Sequence, residues 1–163
     1  MLNLVVKSGI KQLPLFEKSK FPLYEAYINV DDDLDALLDT KMSLLSIHLP
    51  NWIKDNGQLL KFDLNPRSKS YIESKRIMRK VINFSNSNNV KFIVAHIGHY
   101  NCLNEDKLHV IDEIIQILNK TDFGNVKICI ENVPRWLNLS FENEPIISDA
   151  DDLRYMLDRC PKL

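Results

Sequence analysis

Five short apolar runs, separated by longer amphipathic stretches, restrict this chain more than any other feature of its sequence. They occupy residues 2–7 (LNLVVK), 23–30 (LYEAYINV), 42–48 (MSLLSIH), 90–96 (VKFIVAH) and 126–131 (VKICIE). Each is rich in β-branched or aromatic residues and is closed by Gly, Pro or Asn, which is the signature of a strand. The stretches between them carry helical spacing. Residues 31–38 begin with acids, which suit the positive end of a helix. Residues 69–84 place Ile72, Arg76, Ile77, Val81 and Phe84 three to five apart. Residues 105–118 put Leu108, Ile111, Ile115 and Leu118 on one face, with Asn104 as the expected N-cap. Ser148-Asp-Ala-Asp151 opens a last helix carrying Leu153, Met156 and Leu157. Residues 134–147 are expected to be a long loop.

Alternating strands and helices predict β/α units and a parallel sheet. Two architectures fit. A doubly wound sheet suits 163 residues, whereas a closed (β/α)8 barrel typically needs about 250. With only four glycines, and neither GxGxxG nor GxxxxGK[ST], the chain has no phosphate-cradling loop of the dinucleotide or nucleotide-triphosphate type.

The strand ends supply the chemistry. Three successive runs finish on residues able to bind a metal: His48 in SIHLP, His96 in VAHIG and Glu131 in CIENVP. These are C-terminal strand edges, where both architectures place their sites. Side-chain alternation puts His48 with Ser46 and Leu44, His96 with Val94 and Phe92, and Glu131 with Cys129 and Lys127. Ile and Leu fill the opposite faces. In a barrel the polar set points inward and converges, and Glu25, sharing a face with Tyr27 and Asn29, points inward too. In a doubly wound sheet helices would cover that face and strand Lys127, so the polar pattern favours the barrel. Two imidazoles and a carboxylate are a mixed ligand set suited to Zn²⁺, Mn²⁺ or Fe²⁺. His99, beyond Gly98, reads as loop, His109 as surface and Cys129 as a small buried filler. Trp52 and Trp136, each just past a strand end, either wall a pocket or cover core.

Composition narrows the remaining classes. The net charge of −1 and pI near 6.4 give no basic excess for non-specific nucleic-acid binding. The one basic stretch, residues 67–80, reads as a solvated helix face. Three cysteines without a CxxC pair argue against a disulfide framework. No run approaches 18 apolar residues, and no secretory leader is recognisable at the N-terminus. A cytoplasmic protein is the expectation.

Taken together, SIHLPNW, VAHIGHYN and KICIENVPRW resemble, in order and spacing, strand-end patterns of the xylose isomerase-like TIM-barrel superfamily, which includes sugar isomerases and epimerases and endonuclease IV-type DNA-repair enzymes. The resemblance implies a single domain over residues 1–163, an incomplete (β/α)8 barrel of about five of eight units. It places His48, His96 and Glu131 on metal-site or substrate-site positions, with Glu131 and His96 as catalytic candidates. His48, Glu25 in LYEAYI, Trp52 and Asn132 are substrate-binding candidates. The implied cofactor is a divalent metal, Mn or Zn or similar. The implied function is metal-dependent isomerisation or epimerisation of a sugar-like small molecule. Two alternatives stand beside it: an endonuclease IV-like phosphodiesterase acting on abasic DNA, and a degenerate barrel that binds without turnover.

Departures from the pattern are specific. The superfamily's His-Pro-Gly is His96-Ile97-Gly98 here, and the first strand, VVKSG, lacks the histidine of the endonuclease branch. An Asp-containing strand should follow Leu163 and does not. A fragment of a longer polypeptide is the favoured expectation. An assembly completing the barrel with another copy or chain and a rearranged five-stranded sheet are the other two.

Overall fold

A computed structural model describes residues 5–16, 23–40, 42–133 and 142–163. Its centre is a parallel sheet of β1 (Val5–Gly9), β2 (Leu23–Tyr27), β3 (Ser43–His48), β6 (Phe92–Ala95) and β8 (Lys127–Ile130), in that spatial order. Each strand pairs with the next in sequence, and the order never reverses. A doubly wound sheet requires such a reversal, so the arrangement is five consecutive units of a singly wound barrel.

Alternation sets the two faces. Tyr24, Ala26, Ile47, Ile93, Ala95 and Ile128 turn outward and are buried in one core cluster with Met78, Val81 and Ile82 of α2 (Tyr71–Ser87) and Ile111, Ile114 and Leu118 of α3 (Lys107–Lys120). The other face carries Lys7, Glu25, Phe92, Val94 and Cys129, partly or largely exposed, with Ser46 and His48 buried. Cys129 is therefore an exposed residue rather than a buried filler. It lies on the concave face of β8, next to the open edge of the sheet.

Several elements differ from the sequence expectations. A hairpin, β4 (Trp52–Asp55) and β5 (Gln58–Lys61), follows β3. Its two-residue turn is Asn56-Gly57, both at positive φ (47° and 81°), the pairing that such hairpins prefer. His99 lies not in a loop but in β7 (His99–Asn101), which pairs antiparallel with β9 (Asn143–Pro145), so the long loop contains a strand. Residues 134–141, including Trp136, lie outside the described residues, as do Leu2–Leu4 of the expected first strand.

The helices also shift in phase. α2 buries Ser74, Met78, Val81, Ile82 and Ser85 while Ile72 is 74% exposed. Ser74 is inside because its hydroxyl accepts the Asp63 N–H at 2.9 Å, a contact that hydropathy cannot register. α3 starts at Lys107 with Asp106, not Asn104, as N-cap, and Leu108 is exposed. Residues 31–38 form only a 3-10 turn, Leu34–Leu38, capped by Asp33. The last helix, α4 (Ala150–Leu157), has its capping box at Asp149 and Asp152. Leu157 faces solvent, whereas Met156 is fully buried. α1 (Leu13–Phe16) is a single short turn after β1.

Candidate metal centre at the strand ends

Three of the expected residues meet. His48 Nε2 lies 2.9 Å and His96 Nε2 3.7 Å from the same oxygen, Glu131 Oε2. One ligand atom from each of the three falls within 4.8 Å of the others. Ligand atoms around an ion with bonds of about 2.0–2.2 Å are spaced on this scale.

The imidazoles are held from behind. His48 Nδ1 donates to the Leu49 carbonyl at 2.8 Å, and His96 Nδ1 donates to the Glu131 carbonyl at 3.2 Å. A carbonyl only accepts, so each Nδ1 carries a proton, and each Nε2 is turned to the carboxylate, donating to it when the ring is protonated and open to a metal when it is not. Anchoring one ring nitrogen so that the other is presented is how proteins prepare histidine for a metal. His48 is 1% exposed, packed between the rings of Tyr27 and His96 (centroids at 5.2 and 5.0 Å). His96 is less enclosed. Burial pushes its pKa below the ordinary histidine value, and the neighbouring His48 adds to that, against the opposing pull of Glu131. Burial pushes Glu131 up, but the His48 hydrogen bond, Lys7 and the charges of both imidazoles outweigh it and hold the carboxyl below the usual range.

Lys7, which the sequence reading passed over, completes the group. Its Nζ is 3.7 Å from Glu131 Oε2 and 3.3 Å from Glu25 Oε1. Glu25 also accepts from Ser46 Oγ at 2.9 Å. Strand alternation alone assigns Lys7 to the face of Glu25 and Ser46, since the three are register partners across β1, β2 and β3. Glu25 is thus spent on Lys7 and Ser46 and does not line the adjoining cleft.

That cleft, about 370 Å³, is walled by Pro50, Trp52, Phe62, Val133 and Pro145, with His96, Glu131, Asn132, Asn51, Lys61 and His99 as its polar groups. Trp52, 46% exposed, is here a cleft wall rather than core. A larger cleft of about 800 Å³ adjoins it, and Lys61 and His99 line both.

No family model matches the sequence, and no curated protein matches it. Solved structures do. The chain is similar to the AP endonuclease, family 2, from Brucella melitensis, with a TM-score of 0.72 at 11% identity over 99% of this chain and 66% of that one. It is also similar to the xylose isomerase domain protein from Planctomyces limnophilus, with a TM-score of 0.60 at 11% identity over 96% of this chain and 57% of that one. At such identity the likeness establishes the fold alone, the β/α units of a TIM barrel. The chain spans less than two thirds of the length of either structure.

Proposed function

We propose that this chain, five consecutive β/α units of a TIM barrel, carries the larger part of a divalent-metal centre used to isomerise or epimerise a sugar-like substrate. One observation supports this above the others: two imidazoles, each pinned through Nδ1 to a backbone carbonyl, present Nε2 to a single carboxylate oxygen. Three protein ligands of mixed N/O type fit Zn²⁺ or Mn²⁺ and leave a position for substrate. When bound, such an ion polarises a carbonyl oxygen.

The chain's own residues supply the rest. Every contact of the Glu131 carboxylate among the described residues falls on Oε2, so Oε1 is left to take a proton from the carbon beside that carbonyl. Lys7 and the imidazoles keep the carboxylate ionised for that purpose. Trp52, 46% exposed, offers a face for sugar C–H groups, and Asn51 and Asn132 offer amides to hydroxyls. Among the described residues the sheet ends at β1 and β8, and these edges and the half-exposed inner face are where further strands would add, from the same polypeptide or a second copy.

A second reading, metal-assisted hydrolysis at abasic DNA, is favoured by the fuller overlap with the AP endonuclease structure. The first strand, VVKSG, without the histidine of the endonuclease branch, and the absence of a basic excess weigh against it.

Metal analysis and solvent exchange test the proposal. The purified protein is expected to hold close to one Mn²⁺ or Zn²⁺, with Glu131→Ala losing it and His96→Ala, which also removes a ligand, binding it more weakly than the wild type. In D₂O, proton NMR of the true sugar substrate should show deuterium entering beside the carbonyl. A protein that binds no divalent ion in titration would sink the reading, and nicking of abasic DNA without sugar exchange would replace it with the second.

A further inference from the structure

Lys61 and His99, the two residues common to both clefts, carry a second assignment. The loop beneath them is built around a buried carboxylate. Asp63 accepts the backbone N–H of Asn65 at 2.9 Å and of His99 at 3.2 Å. It fits only because residue 98 is glycine: at φ +122°, a Cβ there would lie 1.9 Å from Asp63 Oδ1. This fixes the backbone from which the His99 ring projects. Its Nδ1 is buried without a hydrogen-bond partner, 3.9 Å from Asp63 Oδ2, and its Nε2 meets Lys61 Nζ at 3.3 Å. Burial first, then Lys61 and His96, push His99 down to about 4, so at neutral pH it is uncharged and accepts a hydrogen bond from the Lys61 ammonium.

The buried Asp63 feels the Lys61 charge, which pulls its pKa down, but no carboxylate among the described residues closes on the ammonium as an ion pair. Arg67, in the larger cleft, is paired with Glu105 and Glu113. Among the described residues Lys61 forms no ion pair, and its one side-chain partner is His99. An ammonium oriented by a neutral imidazole, with two N–H groups to spare, at the junction of a sugar-sized cleft and a larger polar one, is suited to a compact anion.

We propose that Lys61, oriented by the Asp63-braced His99, binds the phosphoryl group of the substrate, which is therefore a phosphorylated sugar or polyol rather than a neutral one. This rests on reading the 370 Å³ cleft as the substrate cleft. A small ester is favoured over a nucleic-acid backbone because the chain has a net charge of −1 and the larger cleft carries Asp63, Glu105 and Asp106 among its basic groups, which is no track for successive phosphates.

The test is calorimetric titration of the EDTA-treated protein with inorganic phosphate, ribose 5-phosphate and ribose. Both phosphates are expected to bind and ribose to give no measurable heat. Lys61→Met should weaken both phosphates at least about ten-fold, and His99→Gln should weaken them less. Far-UV circular dichroism should be unchanged in both variants. A parallel Mn²⁺ titration of Lys61→Met should match the wild type. Equal affinity for ribose and ribose 5-phosphate, or phosphate binding that survives Lys61→Met, overturns the subsite while leaving the metal reading intact. Lys61-dependent phosphate binding in a protein that takes no Mn²⁺ upholds the subsite and removes the metal reading instead. An abasic duplex that binds through Lys61 more tightly than ribose 5-phosphate overturns the small-ester assignment.

Discussion

Asp63 shows how one residue links loop geometry to pH. Burial pushes its carboxyl from the ordinary 3.8 up to about 7, against the backbone N–H groups of Asn65 and His99. Between those values the folded protein keeps a proton that the unfolded chain has released. Stability on this account is complete below about pH 4 and is lost as pH rises through about 7. Denaturant midpoints of wild type and Asp63→Asn from pH 4 to 8 should therefore show the wild type losing ground as pH rises. A constant gap would refute the shift. Gly98→Ala sets a methyl 1.9 Å from Asp63 Oδ1 at φ +122° and should cost roughly 3 kcal/mol or more, read from equilibrium unfolding. Neither residue is conspicuous in sequence. Asp63 reads as an ordinary loop acid, and Gly98 as a turn, because the contact joining them spans 35 positions.

At the scale of elements, the period-two pattern of the strands was legible and the phase of the helices was not. A strand has two faces, and the outward-facing Ile47, Ile93 and Ile128 declare one of them. A helix is rotated by whatever its neighbours offer, and α2 turns Ser74 inward to meet the Asp63 N–H. The Asn56-Gly57 turn could have revealed the β4–β5 hairpin, since Asn-Gly is a strong local signal, but the runs on either side are short and weakly apolar. The two faces of the sheet should differ energetically. Ile93→Ala on the covered face should cost about 2–5 kcal/mol, and Val94→Ala on the half-exposed face roughly 1 kcal/mol, both measured by urea denaturation. Asp149→Ala, which removes the N-cap side-chain half of the α4 capping box and leaves the Asp152 half in place, should cost about 1 kcal/mol.

At the scale of the molecule, the chain is five β/α units whose concave face and two sheet edges stay open among the described residues. Open edges and partly exposed apolar groups such as Val5 favour association. Sedimentation velocity from about 1 to 100 μM should show self-association that a lysine at Val5, on the exposed β1 edge, reduces. A concentration-independent monomer would count against it. The sequence by itself determined the parallel β/α alternation, the covered face of the sheet and the residue types at its strand ends, because these follow from periodicities of two to four residues. Only the tertiary structure decided which of them meet. His48 and Glu131 are 83 positions apart and touch at 2.9 Å, Lys7 joins them, Glu25 is diverted to Lys7 and Ser46, and His99 leaves for Lys61 and Asp63. Alternation fixes the side of a sheet on which a side chain stands. The registers and curvature across five strands, which no local pattern encodes, fix the partner it finds there.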